Sequence, residues 1–163
     1  MLKLILKIVL FIILIPVVIF VGLYIAAPDG SEFVHKNPET TAFIRQRTAE
    51  YQKAGKKVAL HWQWVPITKI SPNIIHAVIL AEDARFYEHI GFDVEAIKFA
   101  LEKNKKRKKY AFGGSTITQQ LAKNLYLSTK KSIPRKVQEL IIAFKMERHL
   151  SKRRILELYL NVI

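Results

Sequence analysis

The stretch GGSTITQQLAKNLYLS, residues 113–128, decides the fold, because it combines a helix start with a regular apolar face. It also carries little charge, although the chain as a whole is strongly basic. Two glycines lead into Thr116 and Gln119, which fit the capping box T-x-x-Q of a helix N-terminus. Apolar residues then recur at helical spacing and predict a buried face: Ile117, Leu121 and Leu125. Lys123 is the only charged residue in the stretch, so the start of this helix presents hydroxyl and amide groups rather than charge.

Helical patterns also precede this stretch. Ser71 and Pro72 predict a helix that reaches Glu82, and Asp93 predicts the cap of the next helix. The first of these helices is expected to bury Ile74, Ile75, Val78 and Ile79. The second is expected to bury Val94, Ile97, Ala100 and Leu101.

The pattern stays helical towards the C-terminus. Ser132 and Pro134 predict a helix that runs to about Leu150, and Ser151 predicts another towards Ile163. The first is expected to bury Val137, Leu140, Ile141, Phe144 and Met146. Two segments do not fit: VALHWQWVPI (58–67) alternates like a short strand, and EKNKKRKKYAFGG (102–114) resembles a basic loop. The sequence therefore predicts a mainly α domain.

The first 27 residues are far more apolar than the rest of the chain. No charged residue occurs between Ile8 and Ala27, a run that would span ~30 Å as a helix and so match a bilayer core. Lys3 and Lys7 precede the run and acidic residues follow it, so the positive-inside bias predicts a cytoplasmic N-terminus. A cleaved signal peptide ending near Ala27 is the alternative, although the run is long for one.

Positive charge is concentrated in the second half of the chain. Between Lys98 and Arg154, 17 Lys and Arg face three acidic residues, an excess equal to the formal net charge of +14 for the whole chain. Such a segment favours an anionic partner. Beyond a membrane anchor nucleic acid is scarce, so lipid phosphates and diphosphates are the better candidates. The chain has no cysteine, and its five histidines show no metal-ligand spacing.

Two carboxylates are candidates for chemistry. Glu82 follows the apolar run AVILA and would emerge, partly desolvated, at the edge of a buried helix, which suits a general base with Asp83, Arg85 and His89 nearby. Glu139 lies one helical turn after Arg135, on the same face, where cations near a helix N-terminus could hold phosphate. A solvated helix end and an ordinary surface ion pair are the respective alternatives.

The stretch at 113–128 is the third candidate. Gly113 and Gly114 would let the backbone approach a ligand closely. A donor-rich wall that fits a sugar beside a phosphate follows: Ser115, Thr116, Gln119, Gln120 and Lys123. A glycine turn followed by a helix cap would give the same pattern, so both interpretations stay open.

Three stretches taken together resemble a known family. They are AEDARFYEHIGFD (81–93), GGSTITQQLAKNLYL (113–127) and RKVQELIIAFKMERHLSKRRILELYLN (135–161). In this order they resemble the glycosyltransferase domain of peptidoglycan synthases, family 51, over roughly residues 58–163. An anchor followed directly by the domain, without transpeptidase motifs, resembles the monofunctional members. The family's domain continues past YLN, so the resemblance also implies that the C-terminal part of the fold lies beyond Ile163.

The resemblance implies a lysozyme-like, mostly helical domain that polymerises lipid II into β-1,4-linked glycan, with inversion and release of polyprenyl diphosphate. Glu82 would be the general base, and Glu139 would assist at the diphosphate. Substrate contacts would fall on Ser115, Gln119, Gln120, Lys123, Lys131, Arg135 and Lys136. A divalent cation, Mg or Mn, near Glu139 is a further expectation, and no organic cofactor is expected.

The same resemblance sets the expected organisation of the chain. Residues 1–27 would form the cytoplasmic N-terminus and a single transmembrane signal anchor, residues 28–57 a linker, and residues 58–163 the glycosyltransferase domain. The domain would lie outside the bacterial inner membrane. Its partners would be lipid II, the growing glycan strand, the membrane and other cell-wall synthesis proteins, and not nucleic acid.

Two other functions compete with this interpretation. A lysozyme-type or lytic enzyme would also use two carboxylates, but cleavage of glycan leaves no diphosphate for the cations to neutralise. A non-enzymatic, basic, membrane-associated binding protein would use the cations but would not need Glu82.

Overall fold

A computed structural model describes residues 2–57, 59–107 and 113–163. Those residues form α-helices and two short 3-10 turns, with no strand among them. The helices are α1 (Leu2–Ala26), α2 (Ala42–Lys53), α3 (Pro72–Glu82), α4 (Val94–Arg107), α5 (Ile117–Tyr126), α6 (Ile133–His149) and α7 (Lys152–Val162). The 3-10 turns are Ser31–Phe33 and Ile67–Lys69. The mainly helical fold class predicted from the sequence is confirmed.

Helix α5 lies at the centre of the fold and packs against α2, α6 and α7. All three residues of its predicted apolar face, Ile117, Leu121 and Leu125, are buried. The largest apolar side chains buried in the same cluster come from the loop after α3 and from α6 and α7: Phe86, Ile142, Met146, Ile155, Leu156 and Leu158. Each such side chain contributes ~1.5–3 kcal/mol on burial, so the core is built where α5, α6 and α7 meet.

Four of the predicted helix starts are confirmed by capping bonds, whereas Ser71 precedes α3 without a side-chain capping bond. The side chains of Thr116, Ser132 and Ser151 each accept a hydrogen bond from the backbone amide three residues on, at 3.2 to 3.3 Å. Asp93 accepts two amide bonds at the start of α4, at 2.8 and 3.0 Å. Only half of the predicted capping box forms, because the Gln119 side chain contacts the carbonyl of Gly91 and Lys136 instead of returning to Thr116.

The predicted strand at 58–67 is wrong for its described part. Residues 59–66 form no regular secondary structure, and a 3-10 turn begins at Ile67; Val58 lies outside the described residues. The indole of Trp62 donates to the carbonyl of Asn161 at 2.9 Å, and the Asn161 side chain bonds both the amide and the carbonyl of Val65. Side chains of α7 therefore satisfy this segment in place of a neighbouring strand.

The predicted basic loop at 102–114 is also wrong for most of its described part, because α4 continues to Arg107. Residues 101–107 are mostly good helix formers, and the cations of the last turn interact favourably with the negative end of the helix dipole. Residues 108–112 lie outside the described residues.

The predicted inner faces of α3 and α4 are only partly correct. Ile79 and Ala100 are buried, and Ile75, Val78 and Ile97 are half-buried, but Ile74, Val94 and Leu101 are exposed. Further exposed apolar side chains lie on the same part of the chain: Leu80, Tyr87, Ile90 and Phe99. Because apolar residues occur on all sides of both helices, their spacing alone could not show which side packs against the core.

Helix α6 buries Ile141 and Met146 as predicted, but Val137, Leu140 and Phe144 are only half-buried. These three residues face α1. Together with other apolar side chains they line a groove of about 360 Å³ between the two helices: Phe20, Tyr24, Phe92 and Ile141.

The segment after α1 is held against the rest of the protein. The ammonium of Lys145 on α6 donates to the carbonyls of Tyr24 and Ala27 at the end of α1. The guanidinium of Arg154 on α7 donates to the carbonyl of Phe33 at 2.8 Å and to that of Lys36 at 2.7 Å. Within the described residues, α1 is the helix long and apolar enough to cross a membrane, so these bonds tie a candidate membrane anchor to the core.

We expect Gly91→Ala to lower the free energy of unfolding by about 2–3 kcal/mol. Gly91 has φ +80°, and a Cβ there would lie 3.0 Å from the backbone of Ala143 and Phe144. Gly55→Ala is the matched control, because Gly55 has φ +71° but open space around it, and it should cost only about 1 kcal/mol. Chemical denaturation in detergent measures both, and equal losses would contradict the packing argument.

Candidate functional site

Glu82 is the last residue of α3, and its side chain is exposed rather than partly desolvated as expected. Its carboxylate accepts a hydrogen bond from the amide of Gln120, with Nε2 2.8 Å from Oε2. The other end of that amide accepts a hydrogen bond from the hydroxyl of Tyr159 on α7, at 3.3 Å. Glu82 therefore stands at the edge of the core, held by side chains of α5 and α7.

Asp83, the next residue, is buried. Its carboxylate accepts a hydrogen bond from the backbone amide of Ile117 at 3.0 Å, which places negative charge at the N-terminus of α5. The same carboxylate contacts Nε2 of His89 at 2.9 Å. The turn after α3 thus separates two adjacent acids, with one fixed to the core and the other left at the surface.

The glycines before α5 serve packing as well as access. A Cβ on Gly114 would lie 3.0 Å from Cα of Ile97, so this glycine lets the chain run close to α4. Gly113 has open space around it. The hydroxyl of Thr116 donates to the carbonyl of Gly91 at 2.7 Å and so connects the start of α5 to the turn that follows α3.

Glu139 on α6 is buried within a cluster of cations. One carboxylate oxygen accepts from the guanidinium of Arg135, and the other accepts from Lys136 at 2.9 Å. The Lys136 ammonium also donates to Ser115 Oγ at 2.7 Å and to Gln119 Oε1 at 2.8 Å. The predicted i, i+4 pair of Arg135 and Glu139 is therefore present and mostly buried, not an ordinary surface pair.

Most of the predicted substrate-contacting residues line one cavity of about 530 Å³, which also contains Ser132 and Ile133. They are Ser115, Gln120, Lys123, Lys131, Arg135 and Lys136, and the predicted catalytic residue Glu139 lines the same cavity. The remaining predicted contact, Gln119, is buried beneath this cavity and positions Lys136 rather than lining the cavity.

Glu82 lines a second cavity, of about 420 Å³, together with Gly113 and Gly114. Ser115 lines both cavities, and Gln120 lines the first while it bonds Glu82 in the second. The two candidate carboxylates thus face adjoining cavities, connected through Ser115 and Gln120.

The first cavity is strongly positive, with four cations around one carboxylate. Arg135 and Lys136 share Glu139, whereas Lys123 and Lys131 form no hydrogen bond or ion pair with any described residue. Burial lowers the pKa of Lys136, and the positive charges of Arg135 and Lys123 act in the same direction. The cavity therefore has more positive charge than its own acid neutralises and suits an anionic ligand.

Within the described residues, the side chains grouped closely enough to hold a metal ion are Asp83, His89 and Asp93. Asp83 accepts from Ile117 and contacts Nε2 of His89, and one oxygen of Asp93 accepts two amides of α4. Nδ1 of His89 is buried without a hydrogen-bond partner among the described residues. Around Glu139, both carboxylate oxygens accept from cations. The divalent cation expected near Glu139 therefore stays a prediction.

Tyr159 is the site residue that the sequence analysis missed. In the stretch ILELYLN, its position falls on the apolar face of a helix, so it is indistinguishable from a core residue. The hydroxyl group is the one feature of Tyr159 in the sequence that indicates a polar role, because a purely apolar position would not require it.

We expect Asp83→Ala to lower the free energy of unfolding by about 2–3 kcal/mol, because it leaves the Ile117 amide and the His89 ring without their partner. Glu88→Ala is the matched control, since Glu88 is an exposed acid in a surface ion pair with Arg85 and should change stability by less than about 1 kcal/mol. Denaturant unfolding measures both variants. Equal losses would show that the buried carboxylate does not hold the start of α5.

Comparison with known proteins agrees with this architecture. The family model described as transglycosylase matches residues 48–163. The chain is 51% identical over 127 residues to the biosynthetic peptidoglycan transglycosylase of Nitrosospira multiformis, covering 78% of this chain and 55% of that protein. It is 50% identical to the protein of the same name from Thiobacillus denitrificans, over 80% of this chain and 56% of that protein.

A third protein of that name, from Janthinobacterium sp., is 43% identical over 99% of this chain and 70% of its own length. The chain spans about half the length of the first two relatives. The family model matches well over half of the chain. The chain therefore belongs to the transglycosylase family.

Proposed function

We propose that the protein is a peptidoglycan glycosyltransferase that polymerises lipid II into β-1,4-linked glycan strands. The observation that carries the proposal is the cavity with four cations, next to the exposed carboxylate of Glu82. A reaction that joins sugars by expelling a diphosphate needs both features, a base for the attacking hydroxyl and cations for the leaving group. The names of the relatives support the same activity.

Glu82 acts as the general base. The acceptor sugar hydroxyl attacks the anomeric carbon of the donor from the face opposite the diphosphate, and Glu82 takes the hydroxyl proton, so the configuration inverts. Glu82 is exposed to its cavity and free to accept from a substrate at the carboxylate oxygen that Gln120 does not hold.

The leaving diphosphate occupies the first cavity. Lys123 and Lys131 have no other partner among the described residues, so they can bind phosphate oxygens directly. Arg135 and Lys136 add charge while Glu139 fixes their positions. Glu139 therefore assists at the diphosphate by orienting cations, and Ser115 lies where the two substrates meet.

No step is assigned to a divalent cation, because the oxygens of Glu139 already accept from Arg135 and Lys136. The cations of the cavity supply the charge neutralisation that a metal would otherwise provide at a diphosphate. The reaction calls for no organic cofactor.

The protein works at the bacterial inner membrane, with the domain on the extracytoplasmic side. Helix α1 fits a single-pass anchor, and Lys3 and Lys7 at its start favour a cytoplasmic N-terminus. Lipid II carries a long prenyl tail, so an anchored enzyme meets it at high effective concentration. The growing glycan strand and other cell-wall synthesis proteins are the expected partners.

We expect Glu82→Gln to reduce polymerisation of lipid II by at least about a hundredfold, because glutamine keeps the shape of the side chain but cannot take a proton. The melting temperature should stay unchanged, since the side chain is exposed. Glu88→Gln is the control, because it makes the same change at an exposed acid outside both cavities.

The same assay separates the competing functions. Release of fragments from finished glycan, without polymer growth from lipid II, would identify a lytic enzyme. Full activity of Glu82→Gln would refute the assignment of the base.

We expect Lys123→Met to lower kcat by roughly a hundredfold, as removal of one preorganised charge donor at a leaving group does in other enzymes. Folding should be preserved because Lys123 forms no hydrogen bond or ion pair with residues 2–57, 59–107 or 113–163. Lys53→Met, outside that cavity, controls for a general loss of positive charge. A similar kcat for the two variants would contradict a diphosphate at Lys123.

A further inference from the structure

We propose that Tyr159 is a positioning residue that aims the Glu82 carboxylate through the side-chain amide of Gln120. The inference rests on the proposed function, in which Glu82 is the general base. It gives α7 a role in catalysis, although none of the residues proposed to act directly on the substrate lies on that helix.

The three side chains form a relay across three helices. Tyr159 of α7 donates to Oε1 of Gln120 at 3.3 Å, and Nε2 of the same amide donates to Oε2 of Glu82 at 2.8 Å. No other hydrogen bond or ion pair holds Glu82 among the described residues. The direction in which this carboxylate points therefore depends on the orientation of one amide.

Glu82 and Tyr159 together fix the orientation of the Gln120 amide between them. An ionised carboxylate only accepts hydrogen bonds, so Gln120 must turn its NH₂ group towards Glu82. Its carbonyl then faces Tyr159, where a hydroxyl can donate. Without that donor, the amide could rotate and present its carbonyl to Glu82, which would repel the carboxylate from its bound position.

Tyr159 is suited to remain a donor. Tyr159 is buried, and burial raises the pKa of its hydroxyl to about 12. The negative charges of Glu82 and Asp83 act in the same direction. The hydroxyl therefore keeps its proton at any pH at which the protein works. The ring itself packs in the core, so it holds the hydroxyl at a constant distance from α5.

Glu82 needs such support because it is exposed on a flexible side chain. General-base catalysis requires the carboxylate within hydrogen-bonding reach of the attacking hydroxyl, and small errors in position are costly. Tyr159 touches no substrate in this scheme, and acts only by restricting the conformations of Gln120 and Glu82.

The test is Tyr159→Phe in the full chain, assayed by polymerisation of lipid II in detergent or vesicles. Phenylalanine keeps the ring in the core and removes only the hydroxyl. We expect kcat to fall about fivefold, the effect of one lost hydrogen bond, with KM and the melting temperature unchanged. Tyr126→Phe is the matched control, because its hydroxyl donates to Glu32 at 2.9 Å, away from both cavities, and its kcat should equal that of the wild type.

A double-mutant cycle with Gln120→Met tests the relay itself and remains informative if Tyr159→Phe proves unstable. Gln120→Met keeps the length of the side chain and removes both hydrogen bonds. If Tyr159 acts through Gln120, adding Tyr159→Phe to Gln120→Met should cause no further loss of kcat. Independent losses that multiply would overturn the inference.

The outcomes separate the inference from the proposed function. Polymerisation by the wild type, its loss in Glu82→Gln and an unchanged kcat in Tyr159→Phe would overturn the inference alone. A wild-type protein that forms no polymer would overturn the proposed function, and the role of Tyr159 would fall with it. A fall in melting temperature that accounts for the whole loss of activity would assign Tyr159 to the core only.

Discussion

The buried carboxylate of Asp83 connects the turn after α3 to the first amide of α5, and the geometry of the site follows from that contact. An amide at a helix N-terminus lacks a partner within its own helix, and a carboxylate there satisfies it and complements the helix dipole. His89 contacts the same carboxylate, so both ends of this interaction within the turn are fixed to each other and to α5. Glu82, one residue earlier, is thereby placed at the surface beside Gln120.

A second buried acid organises the charge of the site. Glu139 holds Arg135 and Lys136 on the first turns of α6, where like charges so close together would otherwise repel each other. Breaking such a buried pair from one side leaves an uncompensated charge, which costs ~3–5 kcal/mol. The acid therefore keeps cations in place without neutralising Lys123 and Lys131, and the excess positive charge remains available to a ligand.

The sequence was sufficient for features that depend on local chemistry. Caps at Thr116, Ser132 and Ser151 and the apolar spacing of α5 are set by neighbours a few residues away, so they could be predicted. Contacts between distant segments could not be. The alternation of Trp62 and Trp64 resembles a strand, but the two indoles bond α7 nearly a hundred residues later. Likewise, nothing in the pair Glu82–Asp83 shows which acid is buried, and nothing near Tyr159 points to Gln120.

The bonds that Lys145 and Arg154 make to the segment after α1 have a mechanical consequence. A flexible linker would let the domain vary its height and orientation relative to a bilayer. Hydrogen bonds at residues 24–27 and again at 33–36 instead restrict the movement of the segment between them. Lys145 lies on α6, the helix that also bears Arg135 and Glu139, so its bonds connect the candidate membrane anchor to the helix that carries the cationic cavity. Bilayer thickness, which influences the tilt of a spanning helix, would thus also affect how the cationic cavity is held relative to a membrane surface.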